Sequence, residues 1–255
     1  MIATRLAARV VERNVLAYRR MWFVFLTGFA EPVLFLLSIG VGVGALVGDL
    51  QVGGHTVSYD EFVAPGLLAM SAMSGALLDA TFNFFVKYKY THVYDAVLAT
   101  PIGTGDLAVG EVVWSLLRGA IYSTFFLLTM LVFGLVGSWW AVLAAPVAVL
   151  IGYAFAGAGL AATTWMRSFL DFDYVNLAIV PLFLFSATFF PLSTYPDWLQ
   201  VVIQATPLYH GVELLRSLTT GTVGWYQLFD VAYLAALGLV GTWIASRRVE
   251  KLLLT

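Results

Sequence analysis

Long apolar blocks separated by short polar stretches dominate the chain and set its fold class. Six of these blocks are near the roughly 20 residues that a helix needs to cross the hydrocarbon core of a bilayer. The pattern predicts an all-α membrane protein, a single transmembrane domain over residues 1–255 with six transmembrane helices. The predicted spans cover residues 22–47, 62–86, 107–136, 139–166, 174–191 and 226–246.

The segments outside the spans differ in their polarity. Residues 3–20 place arginines beside an apolar stripe through Leu6 and Val10, which predicts an amphipathic interfacial helix. Residues 49–61 are predicted to form a loop. In residues 192–224 short apolar runs alternate with prolines and charges, a pattern that predicts two short re-entrant helices between spans five and six.

The distribution of lysine and arginine predicts the orientation. Short loops rich in these residues stay in the cytoplasm, and six spans place eleven of the thirteen basic residues on that side. The protein is therefore predicted to lie in the plasma (inner) membrane with both termini on the cytoplasmic side. Five or seven spans would put a basic terminus outside. No signal peptide is predicted, because Arg5, Arg9 and Arg13 interrupt the first apolar residues.

Composition narrows the classes of function. Hydrophobic residues make up 61% of the 255 and charged residues 11%, whereas soluble domains average about 25% charged residues. A net charge of -2 does not indicate nucleic-acid binding. With no cysteine there is no thiolate nucleophile or sulfur-bound metal, and the three histidines lie in separate loops without metal-ligand spacing. Neither a catalytic nor a metal site is predicted.

The chain also lacks the residues that would hold ATP. None of its lysines, Lys87, Lys89 and Lys251, ends a glycine-rich loop of the Walker A type. The alternating glycines from Gly40 to Gly44 lie inside the first span, where small residues favour helix packing. The chain itself is therefore predicted to be neither an enzyme nor a cofactor-binding protein.

Ionisable side chains inside the predicted spans are the first candidates for function. Each costs roughly 2.5–3.5 kcal/mol at mid-membrane, so it usually faces a cavity or a partner. Asp79 shares one helix face with Ser71, Gly75 and Asn83. This face either lines a substrate path or packs against another helix, and the two interpretations stand level. The other ionisable span residues, interpreted as structural, are Glu31, Glu111 and Arg118.

Aromatic residues concentrate at the end of the second span and around the fifth. Such surfaces suit amphiphilic substrates, and the commoner alternative is an aromatic belt facing lipid. The residues predicted to line a substrate path are Ser71, Asp79, Phe82, Asn83 and Phe183.

Short motifs recur in a fixed order along the whole chain. They are Glu31-Pro32-Val33-Leu34, Phe62-Val63-Ala64-Pro65-Gly66-Leu67-Leu68, Tyr94-Asp95-Ala96-Val97-Leu98-Ala99-Thr100-Pro101, Gly110-Glu111, Phe190-Pro191-Leu192-Ser193, Pro207-Leu208-Tyr209-His210 and Glu213-Leu214-Leu215-Arg216. In this order and spacing the chain resembles the ABC-2 permeases related to lipo-oligosaccharide (nodulation-factor) exporters and daunorubicin-type drug exporters.

The resemblance implies the permease subunit of an ATP-driven exporter of an amphiphile, such as a lipid, a glycolipid or a drug. It implies a permease dimer, with itself or a paralogue, docked on two copies of an ABC ATPase that hold ATP and Mg²⁺. Residues 87–106 would hold the coupling helix, and the interfacial helix would be a second ATPase contact. The re-entrant segment would contain a surface ion pair between Glu213 and Arg216, which contributes little. The coupling residues implied are Tyr94, Asp95, Leu98, Thr100 and Pro101.

Two other classes of protein fit part of the pattern. A stand-alone secondary transporter or channel would also show six spans with buried charges, and it would work without an ATPase. A membrane enzyme fits less well, because the spans hold no clustered histidine, aspartate or serine constellation.

Overall fold

The apolar stretches fold as helices, because a helix satisfies every backbone polar group within its own segment. The computed structural model describes residues 3–19, 23–52 and 55–253. The helices in these ranges are α1 (Ala3–Tyr18), α2 (Phe23–Val47), α3 (Tyr59–Leu78), α4 (Phe84–Lys89), α5 (Val93–Leu98), α6 (Thr104–Val132), α7 (Ala144–Thr163), α8 (Phe172–Leu184), α9 (Asp197–Gln204), α10 (Pro207–Thr220) and α11 (Gln227–Leu253). Shorter turns are π-helical at Asp79–Asn83 and 3₁₀-helical at Trp139–Leu143, Phe169–Asp171 and Leu192–Thr194.

Four helical stretches in the described ranges are long and apolar enough to cross a membrane. They match four predicted spans within a few residues and comprise Tyr59–Lys89, Thr104–Val132, Trp139–Thr163 and Gln227–Leu252. The first predicted span coincides with α2, in which Val33–Gly44 forms a shorter apolar stretch. The final helix continues beyond its predicted end at residue 246 through the basic residues of the tail.

The predicted loop at residues 49–61 contains two short strands and the start of a helix. Strands β1 (Leu50–Val52) and β2 (His55–Val57) pair there as an antiparallel hairpin. Helix α3 begins directly afterwards at Tyr59. Its start is fixed by a capping box, in which the Ser58 hydroxyl accepts from the Glu61 amide and the Glu61 carboxylate accepts from the Ser58 amide.

The helix at the predicted fifth span is shorter than expected. Its 13 residues extend about 20 Å, less than the roughly 30 Å of the hydrocarbon core. Beyond Leu184 the chain turns inward, and Ala187 adopts a left-handed conformation with φ 55°. Residues 186–188 are buried close to Gly66, where an added Cβ would lie 2.7 Å from the Thr188 methyl group. A straight helix to Pro191 is therefore not formed.

The segment of residues 192–224 contains two short helices, α9 and α10, as the sequence predicts. Helix α10 starts with Pro207, which needs no amide partner in the first turn. It ends at Gly221, whose φ of 84° is the left-handed conformation that glycine adopts at helix ends. Most of α10 is buried among the longer helices.

The core has two halves along the bundle. One half gathers buried side chains of α3, α6, α7 and α10, including Phe126, Ile151 and Leu215. The other joins α1 and α5 to the longer helices through Val10, Tyr94 and other residues. The stretch containing α3 is central, with 78% of its most apolar window buried against 28% for α11. Polar side chains of the α3 stretch therefore face other helices instead of lipid.

Helices α7 and α11 approach each other so closely that their backbones touch. A Cβ added at Gly241 would lie 2.4 Å from the backbone carbon of Gly157. One added at Gly157 would lie 2.6 Å from the carbonyl oxygen of Gly238. Small residues at such crossings are typical of helix pairs in membranes.

We expect Gly241→Val to destabilise the protein by about 1–3 kcal/mol, because overpacking forces the two backbones apart. The measurement is the temperature at which the detergent-solubilised protein loses its monodisperse peak in size-exclusion chromatography. Gly42→Val is the matched control, since no atom lies within 4 Å of a Cβ at that helical position. Equal thermal stability of the two variants would contradict the close approach.

Candidate functional site

Polar side chains of several helices meet inside the bundle where α3 passes into α4. The π-helical turn Asp79–Asn83 lies at this point, and such turns occur frequently at functional sites. The Asn83 side-chain amide donates to the Asp79 carboxylate. The Thr81 hydroxyl donates to the carbonyl of Leu77 at 2.7 Å. The turn thus satisfies polar groups locally and places Asp79 against α6.

Asp79 forms a buried ion pair with Arg118 of α6. Arg118 Nη1 donates to Asp79 Oδ1 at 2.6 Å, and Arg118 Nη2 donates to the Tyr122 hydroxyl at 2.8 Å. The side chain of Arg118 is 11% exposed and that of Asp79 is 1% exposed. The guanidinium also lies 5.2 Å from the ring centroid of Tyr18 in α1. Each charge therefore has its counterion within the protein, as burial requires.

A second ion pair joins Lys87 of α4 to Glu111 of α6. The Nζ to Oε2 distance is 2.7 Å, and the side chains are 12% and 3% exposed respectively. Lys87 also donates to the side-chain oxygen of Asn14 in α1 at 3.3 Å. Burial raises the pKa of the nearby Tyr94 well above its ordinary value, and the charge of Glu111 raises it further. The Tyr94 hydroxyl therefore stays protonated.

We refer to Asn14, Asp79, Lys87, Glu111 and Arg118 as the polar junction. Its two ion pairs connect the same two antiparallel helical stretches. Asp79 and Lys87 are eight residues apart on one stretch, and Glu111 and Arg118 are seven residues apart on the other. At 1.5 Å per residue the two separations are about 12 Å and about 10.5 Å, so the pairs form two successive rungs.

The sequence predicted Glu111 and Arg118 to be structural residues of the third span and named no partner for either. In the structure both pair across to the α3–α4 stretch. No signal in the sequence shows which charge takes which partner, because the partners are 24 and 39 residues apart. Glu31 lies in α2, and its side chain is outside the described part of the chain.

The stripe that the sequence offered as a substrate path packs against α6. Ser71 and Asp79 are buried, and a Cβ added at Gly75 would lie 2.6 Å from the ring of Tyr122. Asn83 is half-buried beside Asp79. This arrangement favours helix packing over a path for the stripe, and a role in transport stays a prediction.

The two aromatic residues of the predicted path lie elsewhere. Phe82 is exposed and packs against Phe172, with ring centroids 5.5 Å apart. Phe183 is buried and packs against Phe189 at 4.9 Å. Phe82 therefore belongs to an aromatic cluster between the π-helical turn and the start of α8. The cluster consists of Phe82, Phe85, Tyr90, Phe169 and Phe172.

The predicted coupling residues divide into a buried anchor and an exposed face. Tyr94 is completely buried and packs against Phe84 at 5.1 Å between ring centroids. Its expected contact with an ATPase groove is therefore wrong for this structure, because the ring instead holds α5 onto the bundle. Leu98 is half-buried, and the exposed members of the set are Asp95, Thr100 and Pro101.

The ion pair predicted between Glu213 and Arg216 exists, with 3.7 Å between Nη1 and Oε2. Its expected position on the surface is wrong, because the Arg216 side chain is only 5% exposed. Arg216 Nη2 donates to the carbonyls of Ala187 at 2.7 Å and Phe62 at 3.3 Å. Its guanidinium lies 3.9 Å from the Phe62 ring centroid. Arg216 thus joins α10, the start of α3 and the turn after α8.

A further buried pair was missed by sequence reasoning. His210 Nδ1 of α10 lies 2.7 Å from Asp230 Oδ1 of α11. The sequence treated His210 as an ordinary loop or interface histidine. The only available signal was a histidine and an aspartate in adjacent predicted segments, which is too common to indicate a contact.

Known proteins of one membrane family resemble this chain over most of its length. Residues 6–219 match the family model described as ABC-2 type transporter. The chain belongs to the ABC-2 type transporter family. It is thus a membrane permease of an ABC transporter, and members of this family are membrane subunits, not ATPases.

Several curated relatives resemble this ABC-2 permease over most of its length. Nodulation protein J of Rhizobium leguminosarum bv. trifolii is 32% identical over 215 residues, covering 83% of this chain and 80% of that protein. Nodulation protein J of Azorhizobium caulinodans is 26% identical over 249 residues, covering 95% and 96% respectively. Inner membrane transport permease YadH of Escherichia coli K12 is 25% identical over 216 residues, covering 84% and 79%.

Proposed function

We propose that this ABC-2 permease is the membrane subunit of an ATP-driven exporter of an amphiphilic substrate. The substrate would be a lipid, a glycolipid or lipo-oligosaccharide, or a drug, moved out of the cytoplasm or the inner leaflet. The main support is the polar junction, which connects α1 to the interior of the spans, together with Tyr94 of α5, whose ring packs on Phe84 of the adjoining α4. A permease driven by an external motor needs such a connection.

The connection consists of packed and paired groups. Force on α5 would reach Tyr94, whose ring packs against Phe84 at the start of α4. Lys87 on α4 is paired with Glu111, and Asp79 before it is paired with Arg118. Closely packed interiors transmit displacement, so α3, α4 and α6 would move together. ATP must still favour one state more strongly than the other, because equal affinity shifts no equilibrium.

The partners proposed are two copies of an ABC ATPase, which hold ATP and Mg²⁺, and a second permease protomer, identical or paralogous. The exposed face of α5 and the following turn, with Asp95, Thr100 and Pro101, would contact the ATPase. Helix α1 would provide a second contact, since Arg9 and Glu12 form an exposed ion pair on its outer side. The family to which the chain belongs supports an ATPase partner.

The proposed topology has six spans in the plasma (inner) membrane with both termini cytoplasmic. Helix α2 and the short α8 would be the first and fifth membrane segments, and α9 and α10 would re-enter from the outer side. Support comes from the basic residues at both chain ends, Arg5 to Arg19 and Arg247 to Lys251. Residues Tyr94 and Val249 share one half of the core, so α5 and the tail lie at the same end of the bundle.

The proposal is tested by reconstitution into liposomes with a fluorescent short-chain phospholipid as the probe. We expect outward movement of the probe only with the co-purified ATPase and ATP–Mg²⁺ together. A secondary transporter, the alternative function, would move the probe without the ATPase when an ion gradient is applied. Movement independent of ATP would therefore overturn the proposal.

Coupling through α5 makes a separate prediction. We expect Asp95→Lys combined with Thr100→Lys to reduce ATP-dependent transport about ten-fold, since new charges that are desolvated in an interface without a partner cost at least about 1.4 kcal/mol. Thermal stability should not change, because both positions are exposed. Asp197→Lys, an exposed acidic position on α9, is the control variant. If the double variant transports like the control, α5 is not the docking helix.

A further inference from the structure

A cavity of about 670 Å³ lies between α7 and α8. The lining of the cavity is almost wholly apolar. Its volume lies within the range of about 300–1,000 Å³ that is typical of small-molecule sites. None of the predicted substrate-path residues lines it. The cavity is therefore a separate feature from the polar junction, although Leu77 and Thr81 of the central stretch form one wall.

The dimensions of the cavity match one leaflet of a bilayer. Its lining residues recur every three or four positions from Asp171, directly before α8, to Leu182 within it. Eleven residues of helix rise about 16 Å, which is about half of the roughly 30 Å hydrocarbon core. A second lined stripe runs along α7 from Phe155 to Ala162 and continues to Trp165 just beyond its end. The cavity is thus a slot between two helices, as deep as one layer of acyl chains.

Small side chains keep the slot open. Ala158 and Ala162 on α7 and Ala178 on α8 all line the slot, and their small side chains take up little of the space between the helices. Ala162 and Ala178 are also exposed, which means that the slot opens sideways. A chain-like ligand can therefore reach it from the bilayer.

Charged groups lie at only one end of the slot. Arg167 and Asp171 line this end. The Asp171 carboxylate accepts from the backbone amides of Arg167 at 2.6 Å and Ser168 at 3.0 Å, and these bonds lower its pKa below its ordinary value. Its charge therefore persists at neutral pH and is held by local backbone donors.

A second guanidinium contacts a residue that lines the slot. Trp165 lines the slot, and the Arg248 guanidinium lies 4.0 Å from the Trp165 ring centroid. Arg248 Nε also donates to the Thr164 hydroxyl at 3.1 Å. Two guanidinium groups and one internally bonded carboxylate therefore favour a negatively charged group at this end.

We propose that the slot between α7 and α8 binds the acyl chain of an anionic amphiphile, with the head group at Arg167 and Arg248. The site deepens the proposed export function by naming its substrate class, and it rests on that function for its role in transport. In the proposed topology the charged end faces the cytoplasm, so the ligand comes from the inner leaflet.

The test uses the purified permease in zwitterionic lipid nanodiscs, without an ATPase. The probe is a 16-carbon fatty acid with a photoreactive diazirine near its methyl end, and the matched probe is the corresponding fatty alcohol. We expect the acid to label peptides of α7 and α8, and the alcohol to label them about ten-fold less at equal concentration. Equal labelling by both probes would exclude head-group recognition.

Variants separate the chain site from the head-group site. Ala158→Phe fills the slot and should reduce labelling about ten-fold, and Ala178→Phe, at an exposed position, serves where the first variant folds poorly. Ala236→Phe, on the exposed face of α11 and outside the slot, should label like the wild type. Arg167→Gln should bring labelling by the acid down to that by the alcohol, whereas Arg247→Gln removes a neighbouring charge and should not.

Two outcomes would overturn the slot as a binding site. One is wild-type labelling in both slot-filling variants, and the other is labelling spread evenly over all lipid-facing peptides. Because no ATPase is present, failure of ATP-driven export would leave these binding results unaffected. Binding without export would then identify the slot as a lipid site of a protein with another function.

Discussion

Arg118→Met is expected to lower the free energy of unfolding by about 3–5 kcal/mol, because it leaves the buried carboxylate of Asp79 without its counterion. Asp79 is 2% exposed and faces α6 within the span bundle. The measurement is the fraction of protein that stays monodisperse after heating in detergent, compared with the wild type.

The double variant Asp79→Leu/Arg118→Met distinguishes loss of a pair from loss of packing. Replacing both charges by apolar groups of similar size is often neutral or stabilising, so the double variant should recover most of the lost stability. We also expect it to hydrolyse ATP in complex with the ATPase while transporting less, since one rung of the polar junction is absent. A double variant as unstable as Arg118→Met would show that the ion pair is not the source of the effect.

Arg216→Met, at the other end of the bundle, is expected to lower the free energy of unfolding by a similar amount. Its guanidinium is the hydrogen-bond donor to the carbonyls of Phe62 and Ala187, and it packs on the Phe62 ring. Removing it leaves buried acceptors with fewer donors, at about 1–3 kcal/mol for each unsatisfied group. We expect the turn after α8 to loosen first, because Arg216 donates to the carbonyl of Ala187 and so holds this left-handed residue in place.

The conservative variant makes this prediction specific. Arg216→Lys keeps the charge, but an ammonium cannot bond two carbonyls in the fork geometry of a guanidinium or stack as a plane on Phe62. It should therefore recover only part of the stability. Limited proteolysis within residues 185–195 reports on the turn, and Arg247→Met, at an exposed position, is the control. A protease-resistant turn in Arg216→Met would contradict the assigned role.

Hydropathy predicted the long helices well and the fifth membrane segment poorly. The four long spans and the start of α2 fall where apolar blocks of the right length occur. Residues 185–191 were predicted to be the end of a span, yet residues 186–188 turn inward and are buried near Gly66. Hydropathy measures the transfer of side chains out of water. A buried turn and a helix in lipid both remove side chains from water, so hydropathy does not distinguish them.

The candidate site was predicted in part. The sequence correctly indicated that Asp79, Glu111 and Arg118 lie inside the protein, because isolated charges are costly in lipid. It did not indicate their partners, and it offered Tyr94 as a surface contact although the ring is fully buried. Arg216 was likewise assigned to the surface, where a charged residue in a broken apolar pattern is usually found.

By itself the sequence determined which segments are apolar enough to leave water, where the amphipathic helix α1 forms and which charges need a counterion. These properties depend on neighbours within one helix or one loop. Only the tertiary structure decided that Asp79 meets Arg118, that Lys87 meets Glu111, and that a slot opens between α7 and α8. The reason is physical: such contacts depend on how distant helices cross, and hydropathy contains no information about the crossing.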